Sequence, residues 1–341
     1  RGTMLYSMGP SDFGTAVAGY RRDGRSVWVQ ELALTPAQRW ELLALVEENY
    51  LPQNRDYRYD YYRDNCSTRV RDALDHVLGG RIAGRFASDT TDTTYRWHTR
   101  RILQAMPLYY LGIQLVLGPN ADDPITVWEQ MFLPVTLKEC LREIRVPDGD
   151  GGETPLVRRE ELVADSGRPP PPTSPPFALP LFLLAGVLWG GGMLLVADSG
   201  GEVGPARRMI VVLLAGGWAT AAGIAGTLLL GAWAFTDHFF WYENYNLFQL
   251  NPLFLVLPPA FLLYLVRGQL PQWGVRLATV LAGVSLLGLA VQLLPGLGQR
   301  NGEILMFTLP VNLALWGCVL RLRRGASSGG SGRSGGRPPA S

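Results

Sequence analysis

Five apolar runs in succession, at about 177–197, 209–235, 252–266, 277–295 and 304–320, constrain this chain more than any other feature. Most are long enough to cross a hydrocarbon layer of about 30 Å. The third is the shortest and contains Pro258-Pro259, which predicts a kink. Five such runs in a row do not fit a soluble core. They predict an α-helical membrane domain of about five transmembrane helices over 177–324. Bulk composition hides this: 47% hydrophobic and 18% charged residues would suit two soluble domains, and the net charge of +2 averages two unlike halves. That charge therefore points to no nucleic-acid partner.

Charge in the links sets an orientation. The 198–208 link carries Arg207 and Arg208, the 267–276 link Arg267 and Arg276, and the end of the last run Arg321, Arg323 and Arg324. The opposite links hold Asp237, Glu243 and Glu303, with Arg300 as their one positive residue. The arginine-bearing links are expected in the cytoplasm, with residues 1–176 outside and the C-terminus inside. From Gly325 a Gly/Ser/Arg-rich cytoplasmic tail is expected to be disordered.

The first 146 residues read differently, as one α+β domain. Residues 1–34 suggest short strands and turns, with Ser26–Leu32 alternating. Thr35 followed by Pro36 predicts a helix to about Tyr50, its core face formed by Trp40, Leu43, Leu45 and Val46. A helix is expected from Thr93 to about Met106, and short helices over 125–132 and 135–144. Leu108–Leu117 is apolar but too short to span a bilayer. Residues 147–176, rich in Gly and then Pro, read as a linker, extended where proline dominates. The opening at Arg1, with strand-like Met4-Leu5-Tyr6 close behind, leads to the expectation of an N-terminal truncation.

The chemistry is expected at Tyr57–Asp75, YRYDYYRDNCSTRVRDALD. Cys66 falls at a loop-to-helix junction. Ser67 and Thr68 offer cap oxygens, and Val70, Ala73, Leu74, Val77 and Leu78 recur at helical spacing. Helix-start N–H groups and the helix dipole favour thiolate, and Arg63, Arg69 and Arg71 would add positive potential. The competing reading is a small structural thiol. Cys66, Cys140 and Cys318 lack CxxC spacing, which argues against a zinc or redox pair, and a Cys66–Cys140 disulfide would remove the catalytic idea. No metal site and no cofactor is expected. In the membrane half, the 236–252 loop sets His238, Asn244 and Asn246 among aromatic residues. An interfacial aromatic belt explains the rings but not these polar groups.

Several blocks together resemble one bacterial family. They are YDYYRDNCSTRVRDALD, Tyr95-Arg96, Gly112…Leu117-Gly118…Ala121-Asp122…Pro124, Phe132-Leu133-Pro134, and His238…Asn244-Tyr-Asn246-Leu…Asn251-Pro252-Leu253. The family is that of the Lnb-type lipoprotein N-acyltransferases, named after the Lnb N-terminal periplasmic domain. The resemblance implies a permuted papain-like domain on the outer face of the bacterial cytoplasmic (inner) membrane. It implies Cys66 as the nucleophile, a phospholipid as acyl donor and a lipoprotein as acceptor, through a thioester. Asn65, Ser67, Arg96, Asn244 and Asn246 are then the expected oxyanion or substrate-lining residues. The family's histidine, on a strand before the cysteine, matches nothing in this sequence. His76 lies ten residues after Cys66 on one helix, about 15 Å along its axis, too far to act as base. His98 has no local support, and His238 ranks first among the histidines present. Two other readings stay open: a lipid-ester or peptide hydrolase using the same cysteine, and an inactive membrane binding module.

Overall fold

The computed structural model describes residues 4–197 and 204–328. The chain forms two units: one of residues 1–102 with 123–175, the other of residues 103–122 with 176–341. The segment 103–122 thus leaves the N-terminal unit and joins the membrane unit.

The N-terminal unit is mixed α and β. Its elements are β1 (Met4–Ser7), α1 (Phe13–Arg22), β2 (Val27–Leu32), α2 (Pro36–Tyr50), β3 (Asp56–Tyr59), α3 (Cys66–Val77), α4 (Arg81–Phe86), β4 (Thr90–Thr94) and α5 (Tyr95–Leu103). The membrane unit then takes α6 (Pro107–Val116). The N-terminal unit resumes with β5 (Pro124–Thr126), α7 (Val127–Gln130), α8 (Pro134–Glu143), β6 (Arg145–Pro147), β7 (Glu153–Pro155) and β8 (Val157–Ala164). The strands associate as antiparallel pairs, β1 with β3, β2 with β8, β4 with β5 and β6 with β7. The core beneath gathers Leu74, Val77, Ile82, Phe86, Met131 and Leu141.

Four expectations are corrected. Phe13–Arg22 is a helix, with Asp12 accepting the Thr15 N–H as its cap, not strand and turn. Residues 153–164, placed in the linker, are strands; β8 pairs with β2, and Gln30 crosses to Glu160 at 2.8 Å. The helix expected from Thr93 begins at Tyr95, after β4. Finally, α2 keeps its expected bounds through the Thr35–Gln38 capping box, yet buries no residue, and Trp40 is 72% exposed. Leu42 and Leu45 pack against the core; Leu43 and Val46 do not.

The membrane unit holds α9 (Leu179–Ala197), then a long helix made of α10 (Pro205–Val211), a π turn at Val212–Gly216, and α11 (Gly217–Phe235). Next come the short α12 (Asn246–Gln249), α13 (Leu257–Arg267), α14 (Gln272–Gln292) and α15 (Gly302–Ser328). Among the described residues four helices have the length and apolarity of spans: 179–197, 205–235, 272–292 and 302–324. The fifth would be the broken pair 239–249 and 252–267, bent by 46°. The kink expected at Pro258-Pro259 thus falls earlier, at the break near Asn251. The expected tail begins late as well, because α15 continues to Ser328; the rest of that tail lies outside the described residues.

Gly118, after α6, shows why that block needs glycine. Its N–H donates to Phe240 O at 2.7 Å, and a Cβ there would collide with the Tyr242 carbonyl oxygen.

Candidate active site

The loop before Cys66 is shaped by its own side chains. Asp60 Oδ1 accepts the N–H groups of Tyr62 and Arg63 at 2.9 and 3.0 Å, and Asp60 and Asp64 exchange backbone hydrogen bonds. Arg69, one turn into α3, returns to Asp64 through two bonds of 2.7 and 2.9 Å. Its guanidinium also lies 3.7 Å over the Tyr57 ring. Tyr62 anchors the loop from inside. It is 4% exposed, donates or accepts at Thr99 Oγ1 over 2.7 Å, and meets the Phe132 ring edge-on at 5.3 Å.

Asn65 then ends the loop and starts α3. Its Oδ1 accepts the N–H groups of Ser67 and Thr68 at 2.8 and 2.9 Å, and Thr68 Oγ1 accepts the Asn65 N–H, completing a capping box. The cap is therefore Asn65, not the Ser67 and Thr68 oxygens read from the sequence. The Asn65 amide donates to Tyr61 O and Phe132 O at 2.8 and 2.9 Å, and Ser67 Oγ donates to Met131 O at 2.7 Å. The residues on both sides of Cys66 are thus fastened to the Met131-Phe132 turn. Two blocks that stand out in the sequence, Asn-Cys-Ser and Phe-Leu-Pro, meet here.

Cys66 itself is exposed at the first position of α3 and is free, as are Cys140 and Cys318. The disulfide alternative is thereby excluded. With the Ser67 and Thr68 N–H groups given to Asn65 Oδ1 and that of Arg69 to Asn65 O, the Cys66 N–H has no acceptor among the described residues. A donor beside a nucleophile, at the positive end of a helix, suits an oxyanion. The expected arginine field is weaker than the sequence implied. Arg69 is paired with Asp64, and Arg71 with Asp72, while Arg71 also donates to Trp128 O.

Tyrosines that sequence reasoning did not single out border the thiol. Tyr59 stacks on Tyr6 at 4.1 Å. Burial first, then the neighbouring Cys66, push the Tyr59 hydroxyl up to about 12, so it stays protonated. Tyr57 is raised by the same two causes, against Arg69. The signal was present: Tyr57 and Tyr59 share one face of a two-residue repeat.

The histidines occupy three unlike settings. His98 is 5% exposed, with Nε2 3.0 Å from Thr93 Oγ1 and Nδ1 3.5 Å from Arg101 Nη2. Burial and then Arg101 lower it to about 4, which keeps the ring neutral. His76 Nε2 lies 3.3 Å from Glu41 on α2. His238, in the membrane unit, lies against the Trp241 ring, centroids 4.1 Å apart and planes tilted by 39°. Arg96 is 1% exposed on α5.

Asn244 and Asn246 belong to a buried polar seam of the membrane unit. Asn244 Nδ2 donates to Leu115 O and Val116 O at 2.7 and 3.0 Å, and Asn246 Nδ2 to Leu115 O and Gln114 O at 2.9 and 3.2 Å. Gln299 adds Leu117 O at 2.9 Å. These amides close the C-terminal turn of α6, and Asn301 in turn donates to Asn246 Oδ1 at 2.6 Å.

Comparison with known families agrees with both halves. Residues 1–104 match the Lnb N-terminal periplasmic domain, and residues 205–298 match the Lnb transmembrane domain. The chain belongs to the Lnb-type family. Its N-terminal unit is accordingly a periplasmic domain, and its apolar helices make it an inner-membrane protein. No curated protein and no solved structure matches the chain. In this Lnb-type chain, then, the exposed thiol lies within the matched periplasmic segment, and the amide loop at Asn244 and Asn246 within the matched transmembrane one.

Proposed function

We propose that this protein is a membrane-bound cysteine acyltransferase that moves an acyl chain from a phospholipid to the N-terminus of a lipoprotein. One observation carries the reading: an exposed thiol at the first position of α3, beside its own N–H, which has no acceptor among the described residues, in an Lnb-type chain. The Cys66 thiolate attacks the ester carbonyl. The C–O bond breaks, and the lyso-lipid leaves with a proton, giving an acyl thioester. The α-amino group of the lipoprotein then attacks the thioester. An amide forms, the amine gives up a proton and the thiolate returns. The Cys66 N–H stabilises both tetrahedral oxyanions. Asn65 and Ser67 act as positioning residues, because they hold the helix start against the Met131-Phe132 turn.

Of the histidines, His98 is buried and neutral and His76 sits with Glu41. Among the histidines of this sequence, His238 is the one to test as proton carrier. Folded His238→Ala protein with undiminished transfer would take this role away from it. The main test is Cys66→Ala in the intact protein, with mass spectrometry of lipoprotein N-termini. N-acylation should fall at least about a thousandfold, as it does when a covalent nucleophile is removed. Unchanged acylation would refute the assignment. Cys66-dependent release of free fatty acid, undiminished when a lipoprotein acceptor is added, would replace transfer by hydrolysis.

A further inference from the structure

The membrane unit encloses a cavity of about 490 Å³. This size is typical of ligand pockets, which run from about 300 to 1,000 Å³. Leu111 and Leu115 of α6 line one side, Leu181 of α9 another, and Ala221 and Ala225 of α11 a third. The floor includes Ile304 and Thr308 of α15 and Trp218.

The lining is apolar even where the residue types are not. Thr308 Oγ1 donates to Ile304 O at 2.7 Å, and Trp218 Nε1 to Asn312 Oδ1 at 2.9 Å. Both polar lining groups are therefore satisfied within the protein, and a polar ligand would find no partner in them. The mouth is formed by residues that face lipid. Leu181 is 66% exposed, and Ala185 and Ala221 are exposed as well. The cavity is thus continuous with the bilayer-facing surface that carries Leu184, Leu188 and Leu228.

Its depth narrows the occupant further. Leu181 and Ile304 lie near the starts of α9 and α15, whereas Trp218 to Ala225 occupies the middle of the 205–235 helix, about 10 Å of it at 1.5 Å per residue. α9 starts four residues after the periplasmic unit ends at Pro175. The cavity therefore runs from the periplasmic surface toward mid-membrane, the span of one leaflet's hydrocarbon. A cation also lies close in sequence to the Ile304 end of the lining. Arg300, exposed and four residues before Ile304, is the only Lys or Arg in 103–122, 236–251 and 293–303. A phosphate headgroup is the complementary charge.

We propose that this cavity holds one acyl chain of a phospholipid from the periplasmic leaflet, with its headgroup beside Arg300. The inference deepens the acyl-transfer reading by giving the donor lipid a seat, and it rests on that reading only for its purpose.

The test uses full-length protein in vesicles of phosphatidylethanolamine and phosphatidylglycerol, doped with a phospholipid bearing a photoreactive diazirine on its acyl chain. Crosslinked peptides are mapped by mass spectrometry. Crosslinks should concentrate on the peptides holding Leu181 and Ala221–Ala225. They should fall at least about tenfold in Ala221→Trp, a loss of roughly 1.4 kcal/mol of binding. Ala225→Phe serves as a second filler should Ala221→Trp fail to fold. Leu228→Trp, a lipid-facing change on the same helix, should leave them unchanged. Labelling spread evenly over the lipid-facing surface, or unaffected by both fillers, overturns the proposal. Cys66→Ala separates the two claims. Retained cavity labelling with lost transfer supports both. Retained labelling with retained transfer removes the thiol and keeps the cavity. Lost labelling in Ala221→Trp with normal transfer removes the cavity as the donor's seat and keeps the thiol.

Discussion

Two helix ends in this molecule meet the same problem with opposite results. The N-terminus of α3 and the C-terminus of α6 each leave backbone groups without helical partners. At α6, side-chain amides from Asn244, Asn246 and Gln299 cover the carbonyls of Gln114, Leu115, Val116 and Leu117. At α3, Asn65 covers the N–H groups of Ser67 and Thr68 but not that of Cys66. Inside a membrane unit an uncovered polar group costs more than at a watered surface. So the covered end reads as structure, and the end left open, with a thiol on it, reads as chemistry.

The sharpest way to break this contrast is to compare Cys66 with the other thiol of the same unit. Cys140 sits in the core, and burial, then Glu143 and Glu139, push it up to about 11. At pH 8 only about one Cys140 in a thousand is thiolate, and it is shielded as well. Iodoacetamide should alkylate Cys66 at least about a hundredfold faster than Cys140, read by peptide mass spectrometry of native protein. Comparable rates would make Cys66 an ordinary thiol.

Asn65 tests whether the open end depends on its neighbours. Asn65→Ala removes a cap and leaves the Tyr61 and Phe132 carbonyls without their donor, for a loss of about 3 kcal/mol in thermal unfolding. Asn65→Asp keeps the acceptor for Ser67 and Thr68 but not the two donations, so it should cost less. Equal losses would mean that the cap contributes nothing separable.

At the covered end, Asn246→Ala removes one donor from the Gln114 carbonyl and the acceptor of the Asn301 amide, and should cost about 1–2 kcal/mol. Transfer should fall only as far as folded protein is lost. A variant with unchanged melting and lost activity would show that Asn246 touches substrate, and the comparison of the two helix ends would fail.

These contrasts also explain what the sequence could and could not disclose. Long apolar runs reveal spans because length against bilayer thickness is a one-dimensional property. α2 is readable to its ends because Thr35, Pro36 and Gln38 are a local signal. Phe13–Arg22 is not, since it buries nothing and its start is marked by the single cap Asp12. β8, VRREELVA, reads as linker because its partner β2 lies about 130 residues away. Asn244 and Asn246 stand out as polar groups among aromatic rings. Their partners are carbonyls some 130 residues earlier, and backbone demand leaves no trace in side-chain identity. Cys66 is legible as a helix-start thiol, yet the choice of Asn65 as cap is not, because Asn, Ser and Thr all carry suitable oxygens.

His98 provides the smallest effect and separates the periplasmic unit's core from its reactive edge. Its folded value of about 4 lies below the ordinary 6.5, first through burial and then through Arg101. The unfolded chain therefore takes up the proton first as pH falls, and stability drops between pH 6.5 and 4. From pH 7.5 to 5.5 the loss from this residue should be about 1.3 kcal/mol. His98→Gln, which cannot take up that proton, should flatten this slope in thermal unfolding of the full-length protein while leaving Cys66 alkylation unchanged. A flattened slope with slowed alkylation would tie His98 to the thiol and make it a candidate base again. An unchanged slope would show that burial and Arg101 do not hold the ring neutral.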